Sequence, residues 1–94
     1  MKREQNIIIC GAGEVGRHAG EVLTELGHQV TFIDVAEAKL RSLEDDMEIR
    51  AIQGSSCHPD ILQKADISNV DVLIAATSQD EVNLLSAALA KKLG

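Results

Sequence analysis

The stretch Ile7-Ile8-Ile9-Cys10-Gly11-Ala12-Gly13-Glu14-Val15-Gly16 decides how this chain is read. An apolar run enters a turn spaced G-x-G-x-x-G, and an amphipathic pattern begins where the turn ends. That order is strand, tight turn, helix N-terminus. In such a unit the first glycine permits the turn. The second lets a pyrophosphate approach the backbone, and the third lets helix and strand pack closely. The helix start then offers N–H donors and roughly half a positive charge to an anion. A glycine turn that merely packs a helix onto a strand would show the same spacing. The context strengthens the nucleotide reading: Asp34 ends the next apolar run, near the separation of about 20 residues at which a carboxylate meets a ribose.

Outward from that stretch, strands are expected at 6–10, 30–34, 48–53 and 70–75. The first is apolar at every place from Ile7 on, as when both faces of a parallel strand are buried. In the second, Val30 and Phe32 point one way and Thr31 and Ile33 the other. Val15, Ala19, Val22 and Leu26 recur at helical spacing and predict the buried face of a helix over 14–26, stopped by Gly27. Leu40, Leu43 and Met47 give the apolar side of a helix from 36 to about 45. Pro59 and Asp60 suit the first turn of a short third helix, with Ile61, Leu62 and Ala65 inward. Ser78 and Glu81 have capping-box spacing ahead of a last helix lined by Val82, Leu85, Leu89 and Leu93.

Strand and helix alternate throughout, without repeats or an internal linker. That predicts an α/β fold: a Rossmann-like parallel sheet, strand order 3-2-1-4, with right-handed crossovers and helices on both faces. Residues 1–94 read as a single nucleotide-binding domain. Its ligand should lie outside the carboxyl ends of the strands, where the order reverses between the first and fourth.

A chain of 94 residues buries roughly 60–65% of its unfolded surface, enough for one core. That core must be aliphatic, because Phe32 is the sole aromatic residue. The net charge of −6 argues against nucleic acid and against an anionic membrane surface, both of which select basic patches. Cys10 and Cys57 are too few for a disulfide framework, and Cys57-His58 lacks a second ligand pair at metal-site spacing. Residues 1–6 are too short and polar for a signal peptide. No apolar run approaches the roughly 20 residues of a membrane span, so the expected location is the cytoplasm.

Asp34 is the sharpest candidate. Neighbouring strands lie about 4.8 Å apart, so the end of strand 2 sits beside the glycine turn. A carboxylate there can accept both ribose hydroxyls of an adenosine and would repel a 2′-phosphate, favouring NAD over NADP. The alternative is a capping box of Asp34 with Glu37 on the second helix. Arg17 and Lys39 are the cations nearest the cleft; Arg17 serves either a phosphate or the solvated surface. Glu14 suits the helix N-terminus but would repel a phosphate. Ser55, Ser56 and Cys57 could reach the adenine side or simply form a turn. Thr77 and Ser78 could line the cleft floor, with Ser78 as a cap. No catalytic constellation can be read from spacing, and with no tyrosine the Tyr-x-x-x-Lys pair of short-chain reductases is absent.

The segments IIICGAGEVGR (7–17), VTFID (30–34), QGSSCHPDIL (53–62) and VDVLIAATSQDEVNLL (70–85) resemble the N-terminal domain of Trk-type potassium-uptake regulatory subunits, the RCK or KTN family. The resemblance covers nearly the whole chain, and its fourth-strand block is the most specific part. It implies a cytosolic, non-enzymatic regulatory module at the inner face of the membrane. Such a module senses NAD(H), or ATP or ADP in some members, and gates a membrane potassium transporter. By the match, Gly11, Gly13 and Gly16 hold the phosphates, with Glu14 and Val15 between them, and Asp34 the ribose, with Val35 and Lys39 nearby. Ser55, Ser56 and Cys57 lie near the adenine, and Ala76 and Thr77 near the distal part of the ligand. Ser55 and Cys57 depart from the residues usual at those places. Glu14 stands where the related Ktr branch often carries an arginine for a γ-phosphate, which favours NAD(H) over ATP. Family domains continue with two more strands, so the chain reads as truncated after its fourth β-α unit. The rival reading is the cofactor domain of a truncated NAD-dependent dehydrogenase. Strand 4 has no proline, lysine or glycine to blunt an edge. Homo-oligomerisation is therefore expected, through that edge or the apolar side of 82–93.

Overall fold

The computed structural model describes residues 4–55 and 58–76, and places β1, Asn6–Cys10, inside a fully parallel sheet. The other strands are β2, Gln29–Asp34, β3, Arg50–Gln53, and β4, Val72–Ala75. Their order is β3-β2-β1-β4, as the alternation of elements predicted. β1 is flanked on both sides, with Ile7 opposite Val30 and Val72, and Ile9 opposite Phe32 and Ile74.

Side chains alternate across the sheet and feed two cores. Ile7, Ile9, Val30 and Phe32 pack with Leu40 and Leu43 on one face. Ile8, Cys10 and Ile33 pack with Leu62, Ala65 and Ile67 on the other. Helices α1, Glu14–Glu25, and α2, Glu37–Asp46, cover the first face. Helix α3, Pro59–Lys64, and a 3-10 turn, Ile67–Asn69, cover the second. This division follows from right-handed crossovers: α1 and α2 step the chain one way across the sheet, and α3 steps it back. Ile8, Ile9, Phe32, Ile33, Leu43 and Leu62 are fully buried, each worth about 1.5–3 kcal/mol of transfer free energy.

The buried face of α1 differs from the one its periodicity predicts. Val15, Val22 and Leu26 are 74%, 44% and 50% exposed. Of the four expected residues only Ala19 packs against the core, partly buried beside Leu23, and the residues the helix fully buries are Gly16 and Gly20. A Cβ on Gly20 would stand 2.5 Å from Cζ of Phe32, so the one aromatic ring fills the room that a side chain there would need. Hydropathy spacing finds a face that packs through side chains; this face packs through its backbone. The helix ends as expected at Gly27, whose N–H donates to the Thr24 carbonyl while His28 N–H donates to Leu23, the Schellman pattern. In α2 the expected residues, Leu40 and Leu43, are the buried ones.

Two strands are shorter than their apolar runs. Glu48 and Ile49 precede β3, and Val70 and Asp71 precede β4. Asp71 accepts the Asn6 N–H at 2.8 Å, while its own N–H donates to the Asn6 carbonyl at 2.8 Å. The one charge in the fourth apolar run therefore tethers the start of β1. The predicted helix lined by Val82, Leu85, Leu89 and Leu93, and the Ser78–Glu81 capping box, lie outside the described residues.

Candidate functional site

The carboxyl ends of β1, β2 and β4 meet at the glycine turn. Gly11 has φ 114°, in the left-handed region that a side chain disfavours, and its N–H donates to the Ile33 carbonyl at 2.8 Å. Ala76 N–H donates to the Cys10 carbonyl at 2.7 Å. The end of β1 is thus tied to both neighbouring strands just where the chain turns. A Cβ on Gly16 would lie 2.1 Å from the Gly11 carbonyl oxygen, so the third glycine allows α1 to start against the turn itself.

Gly13 contrasts with both. Its backbone is extended, with φ −79° and ψ −170°, and among the described residues a Cβ there would meet no atom within 4 Å beyond its chain neighbours. Neither strain nor internal packing demands glycine at this position. It is the N-cap of α1, without a side-chain cap, and its carbonyl accepts the Arg17 N–H at 2.8 Å. The first-turn N–H groups of Glu14, Val15 and Gly16 have no carbonyl partner within the helix. They form a donor set suited to an anion, beside a position where only a side chain would obstruct approach.

Asp34 ends β2 beside this turn. Its Oδ2 accepts the Ala12 N–H at 2.7 Å, and its Oδ1 accepts the Ala36 N–H at 2.7 Å. Its backbone carbonyl accepts the Gly54 N–H at 3.0 Å. The capping-box alternative does not form: Ala36 is the N-cap of α2 with no side-chain cap, and Glu37 pairs instead with Arg41 at 2.7 Å. Asp34 is half-buried, and two carboxylate oxygens offer about four acceptor sites, so backbone bonds leave capacity for hydroxyl donors.

Val15 in the first turn of α1 and Val35 just after β2 are exposed, 74% and 68% accessible. Glu14 and Lys39 are exposed in the first turns of α1 and α2. Ser55 is half-buried after Gly54, and its carbonyl accepts the His58 N–H at 3.0 Å. Ser56, Cys57 and Thr77 lie outside the described residues. Arg17 is directed at α2, where it pairs with Asp46 and bonds Ser42 Oγ at 3.3 Å, with Glu21 at 3.5 Å. The phosphate role weighed for it has no support in this geometry. Sequence reasoning missed Ala12 and Ala36. Ala36 has a local signal, two residues past an aspartate, the spacing of an Asx turn; Ala12 has none beyond its place in the turn.

A groove of about 430 Å³ opens at the other end of the sheet, lined among others by Asn6, Thr31, Glu48, Arg50, Asp66 and Asn69. It contains none of the candidate residues. Ligands of open parallel sheets bind at the carboxyl ends of the strands, so the glycine turn is the candidate site. Among the described residues no helix is long and apolar enough to cross a membrane.

A family model described as the TrkA-N domain matches residues 7–94. The Trk system potassium uptake protein TrkA of Azorhizobium caulinodans is 36% identical over 80 residues, covering 85% of this chain and 18% of that protein. The chain spans about a fifth to two fifths of the length of the curated relatives it matches. Two solved structures share the fold at 24% identity. The Kef C-terminal domain of Shewanella denitrificans in AMP-bound form has a TM-score of 0.80 over 93% of this chain and 52% of its own. The NAD(P)-binding domain of an exopolyphosphatase-related protein from Archaeoglobus fulgidus has a TM-score of 0.81 over 98% of this chain and 68% of its own.

Proposed function

The chain belongs to the TrkA-N domain family, and from that premise we propose that it is a regulatory nucleotide-binding module that senses NAD(H) at the glycine turn. Residues 1–94 form one such domain, and within a longer protein it biases a membrane potassium transporter. The observation that carries the reading is Gly13, a glycine that nothing among the described residues requires, set at the N-terminus of α1 beside the Asp34 carboxylate. The pyrophosphate would lie over the first-turn N–H groups and the adenosine ribose against Asp34, with Val15 and Val35 as apolar walls. Lys39 and the 55–57 loop would border the adenine side, and 76–77 the distal half. A carboxylate at the ribose selects against a 2′-phosphate.

The module acts by population shift: the ligand binds one conformation better and moves the attached protein toward it, by no more than the difference in affinity. The module is no enzyme in this reading, and its place is the cytoplasm, held at the membrane through the transporter. Self-association fits the same picture, since among the described residues β4 is an edge strand, with Val72 39% exposed and no residue that blunts strand pairing. ATP or ADP is the competing ligand, because the Kef domain is described with AMP.

Titration of the protein with NADH, NAD, NADP, ATP and ADP tests the proposal. NADH or NAD should bind at least about tenfold more tightly than NADP, one charge-assisted bond's worth of discrimination. Preference for ATP or ADP would move the reading to an adenine-nucleotide sensor, and no binding of any of the five would overturn it. Turnover of NADH with small carbonyl substrates would favour the dehydrogenase rival instead.

A further inference from the structure

The Asp34 carboxylate is already engaged before any ligand is considered. Each oxygen accepts a backbone N–H at 2.7 Å, one from Ala12 in the turn after β1 and one from Ala36 in the turn after β2. The same residue's carbonyl accepts Gly54 N–H from the turn after β3. One residue therefore bonds to three rim turns that are distant in sequence. The two helix N-caps there, Gly13 and Ala36, carry no side-chain cap of their own. Ala12 is buried at 8% exposure, so its N–H would have no ready water if the carboxylate were removed.

The amides of the glycine turn are thus divided. Ala12 N–H points inward to the protein's own carboxylate, while the first-turn N–H groups of α1 remain for an incoming anion. We infer that Asp34 is a positioning residue: it holds the rim turns in ligand-competent geometry in the free protein, in addition to accepting the ribose. Most of the work of Asp34 on affinity then passes through the shape of the turn. Ordering that has already been met in the free state is not charged against binding.

The binding half of this inference rests on the nucleotide reading; the structural half does not, and the experiment separates them. In the ligand-free protein, backbone amide exchange is compared for wild type, Asp34→Ala and Asp34→Asn. Asp34→Ala should speed exchange at Ala12 and Ala36 by about tenfold or more while Ile8 and Phe32 keep their protection. Asn retains one acceptor oxygen, so one of the two amides should stay protected. Affinities are then measured for ADP and for 2′,3′-dideoxy-ADP, which lacks both ribose hydroxyls. If Asp34 positions the turn, Asp34→Ala weakens dideoxy-ADP by about fivefold or more, although no hydroxyl remains for it to bind. Unchanged exchange at Ala12 and Ala36 would overturn the clamp. An Asp34→Ala effect that vanishes with dideoxy-ADP would reduce Asp34 to a ribose acceptor. If wild type binds neither nucleotide, the ADP alternative falls, the NAD(H) reading stands or falls on its own titration, and the exchange result still decides the positioning role.

Discussion

Helices α1 and α2 lie on the same face of the same sheet and reach it by opposite means. α2 presents Leu40 and Leu43, 3% and 0% exposed, and packs as an amphipathic helix does. α1 presents Gly16 and Gly20 and leaves Val15, Val22 and Leu26 outside. The difference follows from what each helix begins with. α1 starts against the turn that ends β1, where a Cβ on its facing side would meet the Gly11 carbonyl oxygen. A helix set that close has no room for a side chain at Gly16 or Gly20, and only Ala19 and Leu23 beside them reach the core. α2 follows the two-residue turn of Val35 and Ala36 and packs on the sheet with leucine. The helix whose N-terminus borders the candidate site is the one that packs through backbone at Gly16 and Gly20.

The largest test falls on α2. Leu43→Ala should destabilise the protein by about 3 kcal/mol, from lost transfer energy plus the cavity left behind. Urea denaturation would measure it. A cost below about 1 kcal/mol would mean that α2 does not rest on its leucines as described.

Next comes Gly16→Ala. The obstacle is a backbone carbonyl at 2.1 Å, which cannot swing aside as a side chain can. Overpacking costs about 1–3 kcal/mol, and alanine returns up to about 1 kcal/mol of helix propensity. The net expectation is a loss of about 2 kcal/mol in the same urea assay, together with weakened nucleotide affinity as α1 lifts from the turn. A stabilised variant would show that close approach is not what glycine provides there. Gly20→Ala should cost less, about 1 kcal/mol net, because its obstacle is the far edge of the Phe32 ring and a ring can tilt.

These contrasts also mark what the sequence makes legible. Strand order and the two-faced sheet are legible because continuous apolar runs alternate with helical periods. The turn is legible because its glycines sit between such segments. The packing face of α1 is not, since glycine has no hydropathy and the valines advertise the wrong side. The available signal was Gly16 and Gly20 four apart on one stripe. At the candidate site, local spacing put Asp34 at the end of β2 beside the turn, where the structure has it, but offered ribose or cap as its partners. The Ala12 bond, 22 residues away, is set by strand register, which local spacing does not encode. The pairing of Arg17 with Asp46 across two helices, and the hold of Asp71 on Asn6, escape a one-dimensional reading for the same reason.

The smallest expected effect bears most directly on α1. Helical periodicity puts Val22 at the centre of the buried stripe; the structure puts it on the outer flank, 44% exposed. Valine and serine have similar helix propensities, so Val22→Ser changes little but the apolar surface. A core position would lose about 2 kcal/mol or more through unpaired hydroxyl burial and lost packing. On an exposed flank the cost should stay within about 0.5 kcal/mol. Measured at low micromolar concentration, a value near zero would establish that the backbone face, not the hydropathy face, meets the sheet. A cost approaching that of Leu43→Ala would mean that the flank is covered in solution. Repeating the measurement across a hundredfold dilution would then separate the two causes. Cover by a second copy fades with dilution, whereas burial within the chain does not.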